Sequence, residues 1–265
     1  AVLNGSLLPR LATGLLDALG SVVLAPSCVA CGDALDAPTR GPVCQPCWSR
    51  IPVLSPPYCD VCGGPLASWR LLDSSRAACH DCQRTHRGAV TRVRTVGAYD
   101  GTLRVLVQRM KYAGHSSLAR RLGNLARGAG HDVLSGADYA IPVPLHPVRR
   151  LQRGFNQADV IAGALGVQVL AALRRVRWTA TQTGLPAPQR QRNVDEAFAL
   201  SWFVRVRGTQ HTVQNRTLVL VDDVRTTGAT LDACARVLLA AGAAEVRALT
   251  VARAEPPRPP SRGPR

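Results

Sequence analysis

LVLVDDVRTTGAT, residues 218–230, is the stretch from which the fold and the chemistry are read. Four apolar residues run straight into adjacent aspartates, Asp222 and Asp223, and then into a turn containing Thr226, Thr227, Gly228, Ala229 and Thr230. Neighbouring carboxylates repel each other and resist burial, so a purely structural strand end gains nothing from them. Something polar must meet them. A turn of hydroxyls and glycine that opens a helix offers backbone N–H groups, hydroxyl donors and the positive end of a helix dipole, which suit a phosphate. Gly228 lets the backbone approach closely. The acids one step earlier are placed to accept hydrogen bonds from hydroxyls on the sugar that carries that phosphate. A ribose 5-phosphate fits this layout.

Outward from that stretch the pattern alternates. VRTVGAY (93–99) reads as a strand, TLRVLVQRMKYAG and SSLARRLGNLARGA as helices, and DYAIPVP (138–144) as a buried strand. NQADVIAGALG follows as a helix and EAFAL (196–200) as a short strand. TLVLVDD (217–223), a helix across TLDACARVLLAAGA, and a last strand EVRALTVA complete the series. Apolar runs separated by amphipathic helices, one of them closed by Gly242, predict an α/β fold with a mostly parallel sheet flanked by helices. Ligands of such sheets sit at the carboxyl ends of the strands, which is where Asp222 and Asp223 fall.

The chain has 265 residues and a formal net charge of +16, from 33 Lys and Arg against 17 Asp and Glu. Lys111 is its single lysine. Such a balance favours polyanionic partners, whether phosphate substrates or nucleic acid. Part of the arginine excess is also what a genome rich in G and C produces. No apolar run reaches the roughly 20 residues that a membrane span needs, because Arg10 and Asp17 interrupt the first segment. The leucines of that segment recur helically, so residues 1–26 are expected to form an amphipathic helix rather than a signal peptide. The final stretch, EPPRPPSRGPR, has no apolar pattern and is expected to be a disordered tail.

Eight of the nine cysteines form four CxxC pairs between residues 28 and 82, and Cys234 stands alone in an apolar helical pattern as a core residue. Four such pairs joined by short loops with Gly and Pro have the ligand spacing of structural zinc rather than of disulfides. Two tetrads follow. Sequential pairing gives Cys28, Cys31, Cys44 and Cys47 for one and Cys59, Cys62, Cys79 and Cys82 for the other; an interleaved cross-brace is the alternative, and the sequential form is favoured. His80 and His86 are read as solvent-facing. Closed thiolate sites leave no open coordination position, so the expected two zinc ions are structural. This use of cysteine, with no convincing signal segment, predicts a cytoplasmic protein.

Taken together the motifs resemble a known family. The run of apolar residues, two acids and TTGAT resembles the phosphoribosyl diphosphate (PRPP) motif of type I phosphoribosyltransferases. LVQRMKYAGH (106–115), IPVPLHPVRRLQRGFNQA (141–158) and QRQRNVDEAF (189–198), with the cysteine module, resemble the ComF family of competence-associated proteins. The resemblance implies a double zinc ribbon at 27–88, a phosphoribosyltransferase-like domain at 89–254 and a tail at 255–265. It also implies that Asp222 and Asp223 hold the ribose hydroxyls and that the turn from Thr226 to Thr230, with Val221, Val224 and Arg225 around it, binds PRPP. Mg²⁺ is expected to arrive with PRPP, so no dedicated cage is needed. The pyrophosphate is expected in a loop from Pro144 to Arg153, where Arg149, Arg150 and Arg153 stand beside Gly154, Asn156 and Gln157. A hood from about Arg174 to Asn193 is expected to bring Arg190 and Arg192, and Lys111 is a further phosphate contact. His146 is read as structural.

Two departures from the motif matter. Arg225 takes a place that is more often apolar, and Thr226 stands where purine-salvage members carry an aspartate, which argues against a 6-oxopurine acceptor. The implied reaction is displacement of pyrophosphate at C1 of the ribose through an oxocarbenium-like state, linked to DNA uptake. The alternative is a non-catalytic competence factor that binds single-stranded DNA and uses PRPP or a nucleotide as regulator, with a vestigial-site scaffold a third reading. With four Trp, four Tyr and three Phe the chain is poor in stacking platforms, though not in backbone-binding cations.

Overall fold

The computed structural model describes residues 26–66, 77–85, 88–112, 116–177, 196–202, 204 and 212–254. The expected N-terminal helix, most of the hood and the tail lie outside the described residues.

A four-stranded, wholly parallel sheet forms the centre, in the order β1 (Val93–Ala98), β6 (Glu245–Arg253), β5 (Thr217–Arg225), β2 (Tyr139–Pro142). The predicted α/β class is therefore the observed one. β5 shows why its sequence lacks polar alternation. Val219 and Val221 pack with Leu103 and Met110 of α3 (Gly101–Tyr112), Leu122 of α4 (Ser116–Ala129) and Ile161 of α7 (Gln157–Gly163). Leu218 and Leu220 pack on the other face with Leu231 and Leu238 of α8 (Ala229–Ala240). A strand covered on both faces reads as a continuous apolar run.

Three local differences from the sequence reading have physical causes. β5 continues to Arg225 because Val224 and Arg225 remain in register with Ala252 and Arg253 of β6. The stretch expected as a loop after β2 holds a short helix, α6 (Pro147–Arg153). Pro147 occupies its first turn, His146 Nδ1 accepts from the Val148 N–H at 3.3 Å, and Gly154 closes it in the left-handed conformation (φ +75°). The third difference is β3 (Leu173–Arg175), which pairs antiparallel with β4 (Phe198–Leu200) away from the main sheet. Three residues are too few for a period to show in sequence.

The edge strand β1 is covered by the chain that links the two cysteine tetrads. The Leu54 N–H donates to the Val96 carbonyl at 2.8 Å, and Val53 bridges Gly97. Gly97 is needed there, since a Cβ would lie 2.7 Å from the Pro52 carbonyl oxygen. Cys28, Leu35, Val43, Cys47 and Ile51 belong to the same core as α3 and α4. The second tetrad has a small core of its own, with Val61, Leu66 and Ala77, and is tied down by charge. Arg94 Nη2 stands 2.9 Å from Asp60 Oδ1 and 2.7 Å from Asp132 Oδ2, with Asp60 and Arg94 both buried. Removing one member of such a cluster strands a buried charge and costs more than the cluster contributes. Among the described residues no helix is long and apolar enough to cross a membrane.

Candidate functional site

Strand alternation divides the two acids. Asp223 follows Val219 and Val221 towards the α3 face, where Lys111 Nζ lies 3.1 Å from its Oδ1. Asp222 follows Leu218 and Leu220 to the other face, where its charge acts on Cys234 of α8 and on Arg175 of β3. The Asp223 N–H donates to Asp222 Oδ1 at 2.8 Å. Burial first, and the Asp223 charge second, push the Asp222 carboxyl up to about 7, against the Asp223 N–H, Lys111 and Arg175. It thus titrates near neutrality and is a strong acceptor once ionised. Both residues are half-buried, and the Asp223 side chain is 13 % exposed.

One step on, the chain turns sharply. Gly228 takes φ +90° and caps α8, and the Asp232 N–H closes the first helical turn on its carbonyl at 2.9 Å. Thr226 and Thr227 are exposed, and Thr227 Oγ1 accepts from the Ala229 N–H at 3.4 Å. Ala229 and Thr230 begin the helix and are half-buried. Unbonded N–H groups of a first helical turn, beside exposed hydroxyls, are suited to an anion. Arg225 is placed differently. It is 7 % exposed, and its guanidinium lies flat against Gly228, on the second tetrad's side rather than among the exposed threonines.

The other expected cations are distributed unevenly. Arg149 is half-buried and acts on Arg175, which brings it towards the Asp222 side. Arg150 is exposed and acts on Asp159 of α7. Arg153 Nη1 donates to Gln157 Oε1 at 3.2 Å. Asn156 and Gln157 are buried; Asn156 caps α7 through the Ala158 N–H at 3.3 Å and donates to the Val143 carbonyl at 3.2 Å. Asn156 thus builds the corner, whereas Gln157 Nε2 is buried without a hydrogen-bond partner among the described residues. Arg190 and Arg192 lie outside the described residues. Arg175 was not singled out from the sequence, where it is one arginine among several in ALRRVRW. Pairing with Phe198 across the short ladder, with its guanidinium 5.3 Å from that ring, carries it to the site.

The eight paired cysteines gather sequentially. Cys28, Cys31, Cys44 and Cys47 bring their sulfurs within 4.8 Å of one another, and so do Cys59, Cys62, Cys79 and Cys82. The favoured pairing is the one observed. Backbone N–H groups of Ala30 and Cys44 point at Cys28 Sγ (3.4 and 3.3 Å), and those of Cys62 and Cys79 at Cys59 Sγ (3.4 and 3.3 Å). The hydrogen bond from the Cys62 thiol, with the Cys79 and Cys62 N–H groups, holds Cys59 well below the ordinary thiol range despite burial. Donors aimed at thiolate sulfur, four soft ligands per cluster and no open position fit structural zinc. His80 is exposed, and Cys234 is fully buried.

Comparison with known families matches residues 19–83 to the double zinc ribbon domain and residues 151–264 to the phosphoribosyl transferase domain. Competence protein F of Haemophilus influenzae is 30% identical over 237 residues, covering 86% of this chain and 96% of that protein. The chain belongs to the ComF family. Two further relatives agree with that placement. DNA utilization protein YhgH of Escherichia coli O157:H7 is 33% identical over 218 residues, covering 77% of this chain and 87% of that protein. Competence protein ComFC of Bacillus subtilis is 26% identical over 218 residues, covering 80% and 84%. This ComF member thus carries a phosphoribosyltransferase domain behind two tetracysteine zinc-ribbon sites.

Proposed function

We propose that the corner between β5 and α8 binds the ribose 5-phosphate portion of PRPP with Mg²⁺, and that the protein transfers the phosphoribosyl group to an acceptor in the handling of DNA during competence. The observation that carries this reading is the placement of one carboxylate on each face of β5, one turn before the Gly228-led start of α8. Asp222 and Asp223 accept from the 2- and 3-hydroxyls. Thr226, Thr227 and the N–H groups of the turn take the 5-phosphate. Arg149 and Arg175 approach from the Asp222 side, where cations neutralise a departing pyrophosphate. Mg²⁺ bound with PRPP would supply further charge neutralisation for the pyrophosphate, beside Asp222 and Asp223.

Calorimetric titration with ribose 5-phosphate, and with PRPP plus Mg²⁺, tests the site. Both are expected to bind, and Asp222→Asn with Asp223→Asn is expected to lower affinity at least tenfold. Unchanged affinity in the double variant removes the ribose assignment.

A second reading has its own support. Arg120, Asn124 and Arg127 stand on the outer face of α4 along clefts shared with α7, and both arginines are exposed. Together with the net charge of +16, this favours a non-catalytic role in which the chain holds single-stranded DNA by its phosphates. That role requires affinity for oligonucleotides to fall steeply with salt, and a flat salt response excludes it.

A further inference from the structure

Arg225 and Arg253 occupy paired positions on adjacent parallel strands, the last of each. Two guanidinium groups side by side at a sheet end, one 7 % exposed, repel each other and need anions. Three groups answer that need. A Cβ built on Gly64 would lie 3.0 Å from Arg253 Nη1 and 3.3 Å from Cys62 Sγ, so the Arg253 guanidinium and a ligand of the second tetrad close on one point. Cys62 and Cys82 act electrostatically on Arg225, as does Asp232 in the first turn of α8. Asp232 is itself anchored by the Ala89 N–H at 3.2 Å. A zinc ion held by four thiolates leaves that cluster with two negative charges, which match two arginines.

The other side of Arg225 meets the corner. A Cβ at Gly228 would stand 2.8 Å from Arg225 Nη2 and 3.2 Å from its Cζ and Nε. The guanidinium therefore forms the floor on which Gly228 rests, at the residue whose left-handed backbone aims the first amides of α8. We propose that Arg225 is a positioning residue for the Thr226–Thr230 turn, held in place by the second cysteine tetrad, so that the metal site at Cys59, Cys62, Cys79 and Cys82 sets the geometry of the anion-binding corner. The first tetrad docks elsewhere, on α4, where Arg121 stacks 4.1 Å from the Trp48 ring. The ordering of the turn stands on this geometry, and only its consequence for ribose 5-phosphate rests on the function proposed above.

Amide hydrogen exchange in the full zinc-loaded chain tests it. Arg225→Gln is expected to speed exchange at least tenfold at Ala229 and Asp232, whose N–H groups are bonded to Thr227 Oγ1 and to the Gly228 carbonyl, while metal analysis still gives two zinc ions per chain. Arg225→Lys, which keeps the charge, is expected to restore most of the protection. In the cobalt-substituted protein, Arg225→Gln and Arg253→Gln are expected to shift the thiolate-to-cobalt absorption, and Arg121→Gln to shift it less. Should Arg225→Gln not accumulate as folded protein, Arg253→Gln carries the same exchange readout from the other half of the pair. Unchanged exchange in the turn overturns the inference, and so does an equal increase in β1, which marks general loosening. A wild-type chain that fails to bind ribose 5-phosphate sinks the proposed function instead, and leaves the exchange result to decide this inference.

Discussion

The two tetracysteine clusters share a ligand set and a local fold, yet they meet the rest of the molecule by different physics. The first is absorbed into the main core through Cys28, Leu35, Val43, Cys47 and Ile51. Arg121 reinforces it by stacking on Trp48 and donating to the Val43 carbonyl at 3.4 Å. Its attachment is apolar and lies along α4. The second keeps a small core to itself and is held by charges: Asp60 with Arg94, and the tetrad beside Arg253 and Arg225. It touches the sheet where β5 and β6 end, which is where the candidate site begins. The same ligand set is thus joined to the main core by apolar packing in one place and held by charges beside the candidate site in the other.

The largest effect that tests this contrast comes from removing a ligand of each cluster. Cys59→Ser should reduce zinc to one ion per chain, cost several kcal/mol of stability through lost coordination, and weaken ribose 5-phosphate binding at least tenfold. Cys31→Ser, at the exposed ligand of the first cluster, should also leave one zinc but change the affinity less than twofold. Equal losses of affinity, read by calorimetry beside metal analysis, would erase the distinction.

Next in size is Asp222→Asn. The folded chain holds the Asp222 proton up to about pH 7, whereas an unfolded aspartate releases it near pH 4. Between those values the folded state binds more protons, so this residue makes stability fall as pH rises, and above pH 7 the full cost of the buried charge remains. Asp222→Asn should therefore stabilise the chain at pH 8 while lowering ligand affinity. Wild-type affinity should rise through pH 7 and that of the variant should not. Thermal unfolding at pH 5 and 8 measures the first part, and a variant no more stable than wild type at pH 8 contradicts it.

Arg121→Met should cost about 1 kcal/mol, or about 3 °C in Tm, with no change in ribose 5-phosphate affinity, since it loosens only the apolar attachment. The smallest effect expected is from Lys111→Met. Loss of this cation near Asp222 should move the inflection of the affinity profile to higher pH. An unmoved inflection would mean that Lys111 does not act on the acids.

Much of the site was legible because its signals are local. The four CxxC pairs, the two acids and the Gly228 turn each lie within a few residues of sequence, and ligand spacing, carboxylate repulsion and the conformational demand of a helix start act over that range. Parallel α/β architecture followed from apolar runs between amphipathic helices, because a doubly covered strand leaves that mark. Asn156 showed the limit: a polar residue at a strand's end reads as part of an anion-binding corner, and only the structure shows that it caps a helix. What the sequence by itself determined was therefore the chemistry available, two thiolate tetrads and an acid-acid-turn motif at a strand's end. Tertiary structure alone decided who meets whom: Lys111 at Asp223, Arg175 at Asp222, and Arg225 between Gly228 and the second tetrad. Those meetings depend on strand register and on which face of β5 each side chain takes, quantities fixed by packing between separate elements of the chain.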